Sequence, residues 1–276
     1  MNSEILSQLK FPRIMGILNL TEDSFSDGAD FLEEDKATRH ALKLIDDGAQ
    51  ILDIGAESTR PGSKAVPPQL QWQRIEPVLK NIRSERPGLT ISIDTQSSFV
   101  ARKAIASGAD IINDVSAMKF DPDMIFAVAE HPQVKVILMH MQGNPETMQL
   151  APTYTDVISE VYAFLQERLE YAENNGIDKS RIILDPGIGF GKNLNHNLKI
   201  LRSLSHFSSL GCKLLLGTSR KRFIEQISGG DVQHRVGGSL ATTMLACLFS
   251  IDIIRVHDVF EHHQFIKTLQ AVAGAS

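Results

Sequence analysis

Eight short apolar runs separated by amphipathic segments, glycines at the joints and a length of 276 residues together predict an α/β fold, a (β/α)8 TIM barrel spanning residues 1–276 as a single domain. The runs, in order, are Arg13–Leu18, Gln50–Ile54, Thr90–Ile93, Asp110–Ile112, Val134–Met139, Arg181–Leu184, Lys213–Leu216 and Ile253–Val256. Several are nearly continuous in apolar residues, as strands buried on both faces of a parallel sheet are. Between them Ala37, Ala41, Leu44 and Ile45 fall on one helical stripe, and Val157, Ile158, Val161, Phe164, Leu165 and Ala172 on another. Gly48, Gly88, Gly108, Gly176 and Gly211 stand at helix-to-strand joints, where a left-handed residue closes a helix before the chain turns back. A β/α unit repeats, since GAQILD at 48–53 is echoed by GADIIN at 108–113. Barrels of this kind need about 250 residues, and no linker-like segment divides the chain; an open doubly wound sheet is the competing arrangement.

Composition narrows the function. Lys plus Arg number 28 against 33 Asp plus Glu, a formal charge of −5, which opposes nonspecific attachment to nucleic acid or anionic lipid. The most apolar stretch, Ser239 to Ile254, is broken by Thr242, Thr243, Ser250 and Asp252, so no membrane span is expected. The opening MNSEILSQLKFP carries Glu4 and lacks a signal-peptide pattern, which leaves cytoplasmic residence as the expectation. Cys212 and Cys247 are far apart in apolar contexts and read as two buried thiols rather than a disulfide or metal pair.

Uncommon polar residues collect where the strands end: Asn19, Glu57-Ser58-Thr59-Arg60, Asp94, Asn113-Asp114, His140, Asp185, Ser219-Arg220-Lys221, and Arg255 with His257. Any one of them alone is better explained as a helix cap or turn former. In a parallel barrel, however, every strand's C-terminal end opens on the same mouth, and the recurrence at eight ends points to a single pocket. The polar loops after the first and second strands are expected to close over a ligand, with Arg60 as a cation there. The glycine-rich Asp185–Lys192 is not a P-loop, which would need glycine at 186 and Ser or Thr at 193, where the chain has Pro186 and Asn193. A dinucleotide fingerprint fails as well, and glycine there is expected to admit a flat ligand close to the backbone.

Asp94, Asn113 and Asp185 suit the donor edge of an aminopyrimidinone, whose ring N–H and exocyclic amine match a carboxylate bidentately. Arg60, Lys221, Arg255 and His257, helped by Arg220 and Arg222, form a complementary cationic group suited to a phosphate or diphosphate. Arg255 interrupts the apolar run Ile253–Val256, where an unpartnered cation would be costly. His262 and His263 are expected on the surface of the last helix.

The segments ILNLTEDSFSDG, GAESTRPGS, SIDT, INDVSA, MHMQGNPETMQ, ILDPGIGFGK, GTSRKRFI and RVHDV, in order and across nearly the whole chain, resemble the dihydropteroate synthase family of pterin-binding enzymes. The resemblance implies condensation of (7,8-dihydropterin-6-yl)methyl diphosphate with 4-aminobenzoate to 7,8-dihydropteroate and diphosphate, a step of folate synthesis at which sulfonamides compete. It implies that Asp94, Asn113, Asp185 and Lys221 hold the pterin, with Met139 and Phe190 packed near it. Asn19 would contact a magnesium ion and, with Arg255 and His257, the diphosphate, while Thr59, Arg60 and Pro61 would join Ser219 and Lys221 at the 4-aminobenzoate site. Arg60, Lys221, Arg255 and His257 are thus the expected catalytic group, in a chain expected to be a homodimer by family analogy. The chain departs from the family's pattern at Glu22 for a proline, Ala29 for a glycine and Ala56 in a Gly-Gly pair. A pterin-binding methyltransferase would use the carboxylates but have no use for the cations, and a noncatalytic pterin-binding paralogue would differ only in turnover.

Overall fold

A computed structural model describes residues 6–20, 30–58, 65–143, 147–148 and 150–275. Eight strands, β1 (Arg13–Asn19), β2 (Ile51–Gly55), β3 (Thr90–Asp94), β4 (Ile111–Asp114), β5 (Lys135–Met139), β6 (Ile182–Asp185), β7 (Lys213–Leu216) and β8 (Ile253–Val256), close into a barrel in sequence order. All are parallel, and β1 pairs with β8 as well as β2, which settles the competition with an open sheet. The helices that return the chain include α1 (Asp30–Asp46), α2 (Pro68–Glu85), α3 (Ser98–Ala106), α4 (Met124–Ala129), α5 (Val157–Asn174), α6 (Leu194–Arg202), α7 (Leu204–Phe207), α8 (Arg222–Ser228), α9 (Val236–Leu248) and α10 (Val259–Ala273). No helix of the described residues is long and apolar enough to cross a membrane.

Alternation along the strands divides the interior. Met15, Ile51, Ile111, Ile137, Ile183, Leu215 and Ile253 form a separate apolar layer inside the barrel. Residues facing the other way, such as Leu52, Ile54, Ile112, Val136 and Leu138, belong to the larger core between strands and helices. Because side chains alternate with a period of two, the residue two positions beyond each member of the apolar layer also faces inward. Those residues include Ile17, Asp53, Asn113, Met139, Asp185, Gly217 and Arg255. A dry plug therefore underlies a polar layer.

The glycine joints behave as expected at Gly48, Gly108, Gly176 and Gly211, all of which have positive φ. Gly88 does not, so its joint is an ordinary turn in which Leu89 N donates to the Arg86 carbonyl. Four strands run one residue further than the apolar pattern indicates, ending on Asn19, Gly55, Asp94 and Asp185 themselves, β4 runs two further to Asp114, and β5, β7 and β8 end where expected. Two expectations need correction. His262 lies on the inner face of α10, 1% exposed, with Nδ1 2.8 Å from Thr243 Oγ1, and His263 is half-buried with Nδ1 2.9 Å from the Asp47 carbonyl. The helix docks on α9 through that face, so the pair is not a surface doublet. Cys247 is buried, but Cys212 is only partly so.

Candidate active site

The polar layer is a network rather than two separate groups. Register places Gly55 beside Asp94 and Asp94 beside Asn113, so three neighbouring strands deliver their ends to one place. Arg255, arriving from β8, donates Nε to Asp53 Oδ2 at 2.6 Å and Nη2 to Asp94 Oδ2 at 2.8 Å. Asn113 Nδ2 donates to the same Asp53 oxygen at 3.1 Å. The sequence reading set Arg255 with the free cations; in the structure it joins the carboxylates, because a buried guanidinium with five donors needs acceptors. Asp53, 0% exposed, was missed. The signal was available, since Asp53 breaks an apolar run in the same way as Arg255 does.

Electrostatics follow from that crowding. Burial pushes the Asp94 carboxyl up to about 7; Arg255 opposes the shift and the neighbouring Asp53 adds to it. For Arg255 burial acts downward, but Asp53 and Asp94 outweigh it and its pKa rises. Asp114, although it follows Asn113, points away from this network. Its carboxylate takes Ser116 N at 2.8 Å and Met118 N at 2.8 Å, and burial raises it to about 6.

Asp185 stands across the mouth, next to Met139 in the register of β5 and β6. Its Oδ1 accepts from Gly187 N at 2.7 Å. A Cβ at Gly217 would lie 3.9 Å from Arg255 Cβ and 4.0 Å from Asp185 Oδ2, so the two residues flank one small gap. Burial raises Asp185, against Lys221. Burial also holds Lys221 down to about 8, against Asp185. The Lys221 ammonium donates to the Ile188 carbonyl and lies 4.3 Å from the Phe190 ring centroid.

Ser219 and His257 complete the rim, with His257 N and Nδ1 each 3.2 Å from Ser219 Oγ. Between Ser219 and Lys221, Arg220 has φ +58, a left-handed conformation that a side-chain-bearing residue adopts only when held. Its guanidinium donates to Asp258, Nε at 2.9 Å, and its carbonyl accepts Arg235 Nη1 at 3.0 Å. Arg220 therefore shapes the turn instead of joining the cations, and Arg222 is exposed at the start of α8. Asn19 is exposed at the end of β1, beside Gly55. Thr59, Arg60 and Pro61, and the departures at Glu22 and Ala29, lie outside the described residues. Ala56 is fully buried.

The glycine-rich turn after β6 is held from behind. Gly187, Gly189 and Gly191 all have positive φ, and a Cβ on Gly187 would collide with the His140 carbonyl, so only glycine fits there. Lys192, 2% exposed, is buried beneath the turn. The sequence reading counts His140 among the polar strand ends and gives Lys192 no role.

With this geometry in view, comparisons with known proteins are specific. Residues 15–257 match the family model described as pterin binding enzyme. The dihydropteroate synthase of Escherichia coli K12 is 43% identical over 267 residues, covering 97% of this chain and 94% of that protein. A crystal structure of Xanthomonas albilineans dihydropteroate synthase with 4-aminobenzoic acid superposes with a TM-score of 0.89 at 42% identity, covering 97% of this chain and 95% of the other. The same enzyme in complex with 7,8-dihydropteroate gives 0.85 at 40% identity, with coverage of 97% and 95%.

Proposed function

The chain belongs to the pterin-binding enzyme family and within it to the dihydropteroate synthases, transferases that make dihydropteroate, and we propose that the polar layer at the barrel mouth carries out that condensation. The observation that carries the reading is that Asp185 and the Asp53–Arg255–Asp94 network meet on either side of Gly217, with Lys221 acting on Asp185 by its charge. Asp94, Asp185 and Asn113 suit a ring edge rich in N–H donors, and Arg255, bridging Asp53 and Asp94, supplies with His257 on the rim the positive charge that a diphosphate requires.

In this reading Asp185, Asp94 and Asn113 orient the pterin, Phe190 and Met139 bound its faces, and Lys221 lies over the ring. The C–O bond to diphosphate breaks first, and the electron-rich dihydropterin carries the resulting methylene cation. The 4-aminobenzoate nitrogen then forms the new C–N bond and releases a proton to solvent. No protein nucleophile is needed; the chain's contribution is fixed charge aimed at the departing oxygens in a site poor in water. Because Arg255 already carries Asp53 and Asp94, the pterin and diphosphate halves share one guanidinium, and a pterin that takes over Asp94 frees Nη2 for the phosphate. Thr59, Arg60 and Pro61 are proposed to close the 4-aminobenzoate side together with Ser219. Magnesium, when bound, adds positive charge at the leaving group; the Asn19 amide oxygen, a hard donor exposed at the mouth, fits a cation held chiefly by phosphate oxygens and water. A homodimer in the cytoplasm completes the proposal.

The test is diphosphate release with each substrate alone and with both, with and without magnesium. Release that depends on both substrates is expected. Binding of the pterin without release would favour a noncatalytic role, and methyl transfer without diphosphate would overturn the reading. Asn19→Ala should raise the magnesium concentration at half-maximal rate.

A further inference from the structure

Lys192 is a buried cation that the reaction does not use. Its Nζ lies 2.8 Å from His140 Nδ1, 2.9 Å from the Gly187 carbonyl, 3.0 Å from the Phe190 carbonyl and 3.4 Å from the His140 carbonyl. No carboxylate among the described residues lies within ion-pair distance of it; burial pushes its pKa well below that of a free lysine, and Asp185 opposes that only through space. A buried ammonium without a counter-ion is costly, and here only convergent dipoles compensate it. Those dipoles belong to one turn and to the strand end beside it.

We infer that Lys192 is a positioning residue for the pterin site: its ammonium gathers the Gly187 and Phe190 carbonyls onto His140 and so fixes the turn that presents Phe190 and the Ile188 carbonyl to Lys221. The inference rests on the reading given under Proposed function. The Gly187 and Phe190 carbonyl oxygens, pointing at one place, repel one another, and without a shared donor between them the turn would open. Burial and the Lys192 charge together hold the imidazole pKa down to about 2, so His140 stays a neutral acceptor. Its ring is locked edge-on against Phe164, with centroids 4.8 Å apart. Two further clamps act on the same turn: Tyr154 donates to the Gly191 carbonyl at 2.8 Å, and Asn197 Oδ1 accepts Gly189 N at 2.7 Å. On the far side of the turn Lys221 donates to the Ile188 carbonyl and lies over Phe190. Lys192 therefore reaches the ligand only through the turn.

Arg181 supplies a matched control at the other end of the barrel. It too is buried and donates to backbone carbonyls, those of Val134 at 2.8 Å, Val128 at 2.7 Å and His131 at 2.9 Å. Steady-state kinetics, thermal melts and calorimetric titration with 6-hydroxymethyl-7,8-dihydropterin are compared for wild type, Lys192→Met, Lys192→Gln and Arg181→Met. Lys192→Met is expected to weaken the pterin alcohol and raise KM for the pterin diphosphate tenfold or more, with KM for 4-aminobenzoate within twofold of wild type. Lys192→Gln, which keeps two donors, should recover part of the loss, whereas Arg181→Met should lower the Tm and leave pterin KM unchanged. A Lys192→Met protein that melts early but binds the alcohol like wild type overturns the inference, as does an equal rise in pterin KM for Arg181→Met. Should Lys192→Met fail to fold, Tyr154→Phe decides: it removes another clamp on the same turn and must raise pterin KM without moving that for 4-aminobenzoate. Wild-type protein that releases no diphosphate counts against the reaction itself, whereas an active wild type matched by both Lys192 variants counts against this role alone.

Discussion

The two ends of the barrel carry similar residues to opposite effect. At the floor, Lys10, Arg13, Lys135 and Lys213 help line a cavity of about 390 Å³ together with Asp110 and Asp252. There the acids are already occupied, Asp110 by Ile91 N and Arg83 Nη2, each at 2.8 Å, and Asp252 by Leu214 N at 2.9 Å, and three of the cations, Lys10, Arg13 and Lys213, are exposed to water. At the mouth, Asp53, Asp94 and Asp185 are buried, Arg255 and Lys221 are partly so, and Arg255 is held directly against Asp53 and Asp94. Water screens the first set, while the second must satisfy itself or a ligand. Charge makes a site only where burial prevents its relaxation.

Removing mouth charges should therefore have the largest effects. Asp185→Ala is expected to abolish detectable pterin binding by calorimetry; unchanged affinity would remove Asp185 from the site. Arg255→Ala should come next, because it strips a donor from the leaving group, takes the ion-pair partner from buried Asp94 and leaves Asp53 only the Asn113 amide. A loss of about a hundredfold or more in kcat is expected, with a stability loss of about 3–5 kcal/mol in denaturant melts. A purely diphosphate-binding Arg255 would weaken the diphosphate substrate far more than the free pterin alcohol when removed; the ion pairs to Asp53 and Asp94 predict that the alcohol weakens as well.

A smaller test sharpens the contrast through pH. Asp94 is raised to about 7 in the folded protein, from about 3.9 in the unfolded chain. The native state thus holds a proton that the unfolded state has lost, and stability contributed by this group falls as pH rises between those values and levels off above them. If ionised Asp94 receives the pterin, kcat/KM for the pterin substrate rises with an apparent pKa near 7 and falls near 8 as Lys221 loses its proton. Asp94→Asn should flatten the acidic limb; an unchanged limb assigns it to another group. The smallest effect belongs to the floor, where Lys213→Ala should shift stability by no more than about 0.5 kcal/mol and leave turnover unchanged.

Much of this was legible beforehand because a parallel barrel writes its strands as apolar runs and its mouth as their polar ends. Asp94, Asn113, Asp185 and Arg255 were found by that logic. Asp53 escaped because it lies inside its run, two residues before the strand end, although counting by twos from Ile51 gives its direction. Lys192 is hidden for a different reason: its glycine-rich neighbours resemble a phosphate loop without matching one. Its acceptors are backbone carbonyls, which no side-chain motif records. His262 was misjudged because a histidine doublet near a helix start resembles a solvated face, whereas its partner, Thr243, lies on another helix.

Ring closure by β8 on β1 has a further consequence for how the molecule matures. Asp53 and Asp94 emerge early during synthesis, and Arg255 emerges about 160 residues after Asp94, as the separation of 161 positions requires. Until the eighth stave is seated, two acidic side chains lack their counter-ion and the ring has raw edges. Catalytic competence therefore arrives in one stroke with the completed hoop, and a truncated or half-assembled chain gains no fraction of it.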